Sequence, residues 1–327
     1  ACLCMTDRTE ASSNHAMRAP FLATLALILA TGCDMSDTEQ LAPAPKDTST
    51  PTLMSWADLL SRDRPTTPHT IRTGPRDTDI VDLWLPDGDG PHPVVIMVHG
   101  GCWQKSVADH SLMDFAAEDL RQKGFAVWNI EYRGVDEDGG GYPGTFEDVA
   151  HAADALREHA DTYNLKIDRI GAFGHSAGGH LALWLAARPK LPKSSPLWQS
   201  DPLHIDLVVN SGGLADLEAS APVTLESCLS AIMDDLTGAA SGGRPDVFSD
   251  TSPAELLPFA AHQFSVNGAL DQIAPPILGE EYSNKAKAAG SDARSILVLE
   301  TGHVELIAPG SDAFELQAEI LLTELSD

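Results

Sequence analysis

Two spacings of apolar residues alternate along this chain from about residue 72 onward. Residues 80–85 (Ile-Val-Asp-Leu-Trp-Leu) carry an alternating, strand-like pattern that stops at the turn cluster of residues 86–90, Pro-Asp-Gly-Asp-Gly. Residues 93–98 (Pro-Val-Val-Ile-Met-Val) form a continuous apolar run, as expected of a strand covered on both faces. Helical spacing follows over 112–123 and ends at Gly124; residues 125–130 then predict the next strand. A long amphipathic helix is predicted over 146–163, a strand over 169–174 and a helix over 177–188. Further strands are expected at 205–210, 263–267 and 295–299, and a last helix at 313–325. Strands alternating with helices in this way predict an α/β chain with a mostly parallel central sheet and helices on both faces.

Three stretches break the pattern. Residues 189–202 are rich in Pro, Ser and Lys and read as a surface loop. Residues 215–262 hold one helical piece, 225–236, among Gly, Ser and Pro, and read as a cap or lid over a site. Residues 34–52 have no apolar period and read as a tether, followed at 53–60 by one short amphipathic helix. Upstream, Met17-Arg18 precedes the apolar run 21–30 and then Thr31-Gly32-Cys33, the layout of an export signal. That run is short for a bilayer span. Cys33 stands where a lipidated cysteine would follow cleavage, although leucine is more usual at the position of Ala30. The expected organisation is thus an upstream and signal segment (1–33), a tether (34–52) and one catalytic-type domain (53–327). Export to the cell envelope or beyond is expected, with membrane contact only through an N-terminal lipid anchor.

Composition narrows the partners. The 327 residues carry 21 Lys and Arg against 48 Asp and Glu, a formal charge of −27. Such a field repels phosphate backbones, so nucleic acid is not an expected partner. If the chain matures at Cys33, Cys102 and Cys228 remain, and sequence alone leaves open whether they pair. No histidine or cysteine spacing matches a metal site, so neither a metal nor another cofactor is expected. Oligomeric state is not readable.

The chemistry concentrates in four places. Gly174-His175-Ser176-Ala177-Gly178 is a G-x-S-x-G nucleophile elbow, set between a predicted strand and a predicted helix. The tight turn demands small flanking residues, and the helix that follows aims free amides at the site. His99-Gly100-Gly101-Cys102-Trp103 directly follows the apolar strand, where backbone N–H groups can meet a developing oxyanion. Gly100, Gly101 and Ala177 are the expected donors, with the Cys102 N–H as an alternative to one of them. His99 is read as a brace for this loop. After late strands come Asp271, within Asn267-Gly268-Ala269-Leu270-Asp271, and His303, within Glu300-Thr301-Gly302-His303. The order Ser, acid, His predicts a triad of Ser176, Asp271 and His303. Asp216 is a rival acid, and His262, which precedes a strand, a weaker rival base.

Together with Asn129-Ile130-Glu131-Tyr132-Arg133, Ser211-Gly212-Gly213 and Gly302-His303-Val304-Glu305, these motifs resemble bacterial α/β-hydrolases related to kynurenine formamidase and to feruloyl and acetyl-xylan esterases. The resemblance covers about residues 70–310. It implies the α/β-hydrolase fold and Ser-Asp-His hydrolysis of a small ester or activated amide, without naming the substrate. Three readings follow: a carboxylic ester hydrolase, an aryl formamidase, and an inactive envelope binding module that keeps only the fold.

Overall fold

The computed structural model describes residues 51–66 and 69–325. The expected signal segment, Cys33 and nearly all of the tether lie outside the described residues. Eight strands make one sheet: β1 (His69–Arg72), β2 (Ile80–Trp84), β3 (His92–Val98), β4 (Ala126–Ile130), β5 (Leu165–His175), β6 (Leu207–Ser211), β7 (His262–Gly268) and β8 (Ala293–Val298). Their order across the sheet is β1-β2-β4-β3-β5-β6-β7-β8. The β1–β2 and β2–β4 pairs are antiparallel and all others parallel. This is the α/β-hydrolase arrangement the sequence predicts.

The apolar run of β3 feeds both layers of the core. Val94, Ile96 and Val98 point into one layer, and Val95 and Met97 into the other. The first layer is closed by α3 (Gly144–Asp154), α4 (Leu156–His159), α5 (Ala177–Ala187) and α8 (Ile277–Ala289), through Phe146, Leu156, Leu181 and Tyr282. The second is closed by α1 (Trp56–Leu60), α2 (Asp114–Gln122) and α9 (Asp312–Leu325), through Leu59, Leu120 and Phe314. Two short helices, α6 (Leu217–Ser220) and α7 (Met233–Thr237), lie in the stretch between β6 and β7.

Several sequence expectations need correction. The helix expected over 146–163 is two pieces, α3 and α4, broken at Ala155. There the buried Trp128 indole N–H donates at 2.8 Å to the Ala152 carbonyl, the acceptor a continuous helix would offer to Leu156. The helix expected over 112–123 begins with a 3₁₀ turn, His110–Met113, capped by Asp109. Of the expected 225–236 helix only residues 230–236 are helical, as a 3₁₀ turn leading into α7, which runs on to Thr237. Strand β1 and helix α8 have no counterpart in the sequence reading.

Candidate active site

Ser176 stands alone between β5 and α5, with φ 55° and ψ −121°. A side chain seldom adopts this backbone, which is held by a 2.9 Å bond from Ser176 N–H to the Ser211 carbonyl on β6. Close approach explains the flanking glycines. A Cβ on Gly174 would sit 2.1 Å from the Gly178 carbonyl oxygen, and one on Gly178 would sit 2.1 Å from that of Val98. The sharp bend leaves Ser176 at the carboxyl end of the sheet, over the start of α5.

The loops after β7 and β8 meet Ser176 at the same edge. His303 Nδ1 lies 2.6 Å from Asp271 Oδ2. The other oxygen, Asp271 Oδ1, accepts the N–H groups of Ile273 and Ala274 at 2.8 and 2.9 Å. So oriented, Asp271 is placed to accept the N–H of His303 Nδ1, the tautomer that leaves Nε2 able to accept a proton. Among the described residues Ser176 Oγ makes no direct hydrogen bond to His303, but both side chains line one cavity. Gly212, at φ 56°, passes beneath the pair; a Cβ there would lie 3.4 Å from both Asp271 Oδ2 and His303 Cε1.

His175, beside the serine, is fully buried, and its Nε2–H donates at 3.1 Å to the His303 carbonyl. Burial first, and then the neighbouring His303 ring, push it well below the ordinary imidazole range, so it stays neutral. It holds the backbone of His303, and its Nε2 is committed to that bond.

The two rivals fall away on geometry. Asp216 caps α6 through Ala219 N–H and pairs with Lys285 at 3.0 Å. His262 opens β7 at the opposite end of the strand and faces Glu324 at 3.3 Å.

The 99–103 loop closes a third side. Gly101 and Cys102 line the cavity with Ser176, while Gly100 packs behind it: a Cβ there would meet His175 Nδ1 at 2.9 Å and Ser176 Cβ at 3.1 Å. Among the described residues the N–H groups of Gly101, Cys102 and Ala177 have no backbone partner. Gly101, Cys102 and Trp103 all have positive φ, at 112°, 54° and 53°. What keeps this strained loop in place was not readable in the sequence. Cys102 is disulfide-bonded to Cys228, and Gln104 Nε2 donates at 2.9 Å to the Ser227 carbonyl. Trp103 Nε1 donates to His180 Nδ1 at 3.2 Å, and His180 Nε2–H donates to the Thr251 carbonyl at 2.8 Å. Burial lowers His180 to about 4, so this chain from loop to helix to cap is uncharged.

Behind the loop sits one buried carboxylate. Glu131 meets His99 Nε2 at 3.0 Å, Lys105 Nζ at 2.6 Å and His110 Nδ1 at 2.8 Å. The His99 ring stacks on Tyr132 at 4.2 Å, and the Tyr132 hydroxyl donates to the His99 carbonyl at 3.0 Å. Burial opposes the charge on Glu131, but these cationic and hydrogen-bonding neighbours hold its carboxyl far below the usual range. His110 also reaches Asp82 Oδ2 at 3.1 Å through Nε2. Burial works against its proton, yet hydrogen bonds to Asp82 and Glu131 raise its pKa from 6.5 to about 10. The folded chain thus keeps a proton that the unfolded chain gives up near pH 6.5. This stabilisation is complete below pH 6.5 and is lost as pH climbs toward about 10. The melting temperature is expected to fall by several degrees across that window, and Glu131→Gln to shift the fall to lower pH. A thermal-unfolding series from pH 6 to 10 measures both.

The cavity has a volume of about 470 Å³. It is walled by the 101–112 segment, by Leu225, Ser227 and Cys228 of the cap, by Ile273 beside the acid, and by Trp56 and Leu60 of α1. Sequence reading placed α1 but gave it no role. The only cue was an indole in a short amphipathic segment, and nothing local says which surface that segment covers.

The chain's relatives agree with this fold. Among solved structures, a carbohydrate esterase from gut microbiota, described as a truncated form, superposes with a TM-score of 0.64 at 21% identity, covering 81% of this chain and 98% of that one. Esterase B from Lactobacillus rhamnosis gives a TM-score of 0.67 at 16% identity, over 81% and 89% of the two chains. A Mycobacterium tuberculosis protein named "Probable carboxylic ester hydrolase LipM" is 30% identical over 42% of this chain and 32% of its own length. An Arabidopsis thaliana protein named "Probable isoprenylcysteine alpha-carbonyl methylesterase ICMEL1" is 26% identical over 44% of this chain and 30% of its own. The match thus spans about a third of each curated relative. The BD-FAE family profile matches residues 81–285, from β2 through most of α8 and across both glycine motifs and Asp271, and the chain belongs to the BD-FAE family.

Proposed function

We propose that this chain is a serine esterase that hydrolyses small carboxylic esters through an acyl-enzyme, with Ser176 as nucleophile, His303 as base and then acid, and Asp271 as its partner. The observation that carries this reading is the 2.6 Å Asp271–His303 bond, set on the same cavity as a serine held in a strained elbow. His303 Nε2 takes the Ser176 proton as Oγ attacks the ester carbonyl, and later returns it to the departing alcohol. Asp271 stabilises the imidazolium between those steps. The oxyanion is met by N–H groups of the 100–102 segment and of Ala177, at the start of α5. Water then repeats the sequence to release the acid. The ester reading is preferred to an aryl formamide because the relatives' own names and titles are those of ester hydrolases. An inactive binding module would have no reason to keep the acid–base pair and the strained serine together. Export is part of the same proposal: the Cys102–Cys228 disulfide, like the expected signal at residues 17–33, suits an oxidising compartment.

A fluorophosphonate probe is expected to label the purified chain once, on the peptide containing Ser176, and to abolish turnover of p-nitrophenyl acetate. Labelling elsewhere, or none, would reject the assignment. A higher kcat/KM on N-formylkynurenine than on acetyl esters would move the substrate to the amide class.

A further inference from the structure

We propose that Trp56, on a helix outside the segment matched by the family, is a specificity-determining residue that holds an apolar acyl group of an uncharged ester. The inference rests on the esterase reading of the Ser176 site and adds a substrate class to it.

Four observations meet here. First, the Trp56 indole lies edge-on to both histidines of the site, with ring centroids 6.2 Å from His175 and 6.3 Å from His303. It is therefore a wall of the space in which the reacting ester must sit. Second, the helix that carries it is anchored to the base loop itself. Leu59 is wholly buried, the Met54 N–H donates to the Glu305 carboxylate, and that same carboxylate accepts the Gly302 N–H at 3.1 Å, one residue before His303. A capping box between Ser55 and Asp58 starts the helix, and Arg62 donates to the Pro309 carbonyl at 2.9 Å just beyond it. The indole is thus held in position before substrate arrives. Third, apolar side chains continue outward from Trp56: Leu60, Val107 and Leu225 line the cavity yet are 46%, 59% and 52% exposed. Exposed leucines and a valine converging on one opening leave apolar surface that an acyl chain would remove from water. Fourth, among the described residues no Asp, Glu, Lys or Arg lines the cavity. A carboxylate-bearing acyl group would find no counter-charge there, inside a chain of net charge −27.

The test compares p-nitrophenyl acetate, butanoate and hexanoate, with the hemisuccinate as an anionic counterpart, on wild type, Trp56→Ala and Trp56→Phe. Wild type is expected to prefer hexanoate to acetate in kcat/KM and to turn over the hemisuccinate at least tenfold more slowly than butanoate. Trp56→Ala is expected to lower the hexanoate-to-acetate ratio about tenfold, and Trp56→Phe to restore most of it. A merely structural Trp56 would lower all esters alike and leave the ratio unchanged, which overturns the proposal. A ratio that rises overturns it too, since the indole would then block the chain. Calorimetric binding of the hexanoate ester to Ser176→Ala, with and without Trp56→Ala, makes the same comparison without turnover. Equal affinities there reject the Trp56 proposal, whereas absence of turnover in wild type rejects the esterase reading.

Discussion

Ser176→Ala is expected to lower kcat on p-nitrophenyl acetate by about 10⁵–10⁶, the scale on which serine hydrolases lose activity when the nucleophile is removed. The residue left behind still offers the loop and helix amides to the carbonyl oxygen, so turnover about 10³ above the uncatalysed rate should remain. Asp271→Asn should fall by a smaller factor, about 10⁴, because its loss misplaces the His303 proton without deleting the attacking atom. Stability separates a chemical effect from a collapsed fold. Alanine keeps the Cβ that makes φ 55° and ψ −121° unfavourable, so its melting temperature should match wild type. Ser176→Gly removes that Cβ and should be more stable by about 1–3 kcal/mol while equally inactive. A glycine variant no more stable than alanine would mean the elbow carries no strain. An alanine variant with wild-type activity would remove Ser176 from the mechanism.

Opening the Cys102–Cys228 bond is expected to have the second largest effect, on two separate readouts. The bridge spans 126 residues, a loop for which the chain-entropy model gives about 4–5 kcal/mol of stability. In a domain of this size that is on the order of 10 °C in melting temperature. The second readout is catalytic. Cys102 belongs to the positive-φ loop that lines the cavity, and Cys228 to the cap segment that lines it alongside. Without the bridge, Gln104–Ser227 and the Trp103–His180–Thr251 chain remain, so the loop should loosen without unfolding. Losing one well-placed oxyanion donor costs about 10²–10³ in kcat, and partial misplacement should cost about tenfold. Cys228→Ser measured with and without dithiothreitol is the check. Wild type should fall to the level of the variant on reduction, and the variant should not respond. Unchanged kcat in reduced wild type would confine the bridge to stability.

The candidate site is legible in the sequence wherever its geometry depends on a backbone bend or on element order. G-x-S-x-G is legible because the elbow forbids side chains at Gly174 and Gly178. Asp271 and His303 are legible because parallel strands present their following loops at one edge, so a late Asp and a late His have few other places to go. The hidden parts are those made by distant segments meeting. The Glu131 cluster gathers Lys105 and His110 from a loop of no regular pattern. Trp56 reaches the site through a distant meeting of segments: Leu53 lies against Gly302, and the Met54 N–H donates to Glu305. Helix α8 was missed because Gly279, two glutamates, two lysines and few large apolar residues blur its period; Leu278, Tyr282 and Ala286 bury only one narrow stripe. Strand β1 is four residues at the sheet edge with a single buried side chain, Ile71, too little for alternation to register.

The stretch between β6 and β7 has the outward form of an exchangeable module: it is rooted at adjacent strands and supplies part of the substrate wall. The bond from Cys228 to Cys102 makes it something else. A transplanted cap that lacks a cysteine at the position of Cys228 would leave Cys102 as a free thiol in the loop beside Ser176. In this protein, then, drift in the cap sequence and drift in the glycine loop are coupled through one covalent bond. A library that randomises residues 215–262 to retune substrate choice should hold Cys228 fixed, or replace both cysteines together, if its members are to be compared on pocket shape alone.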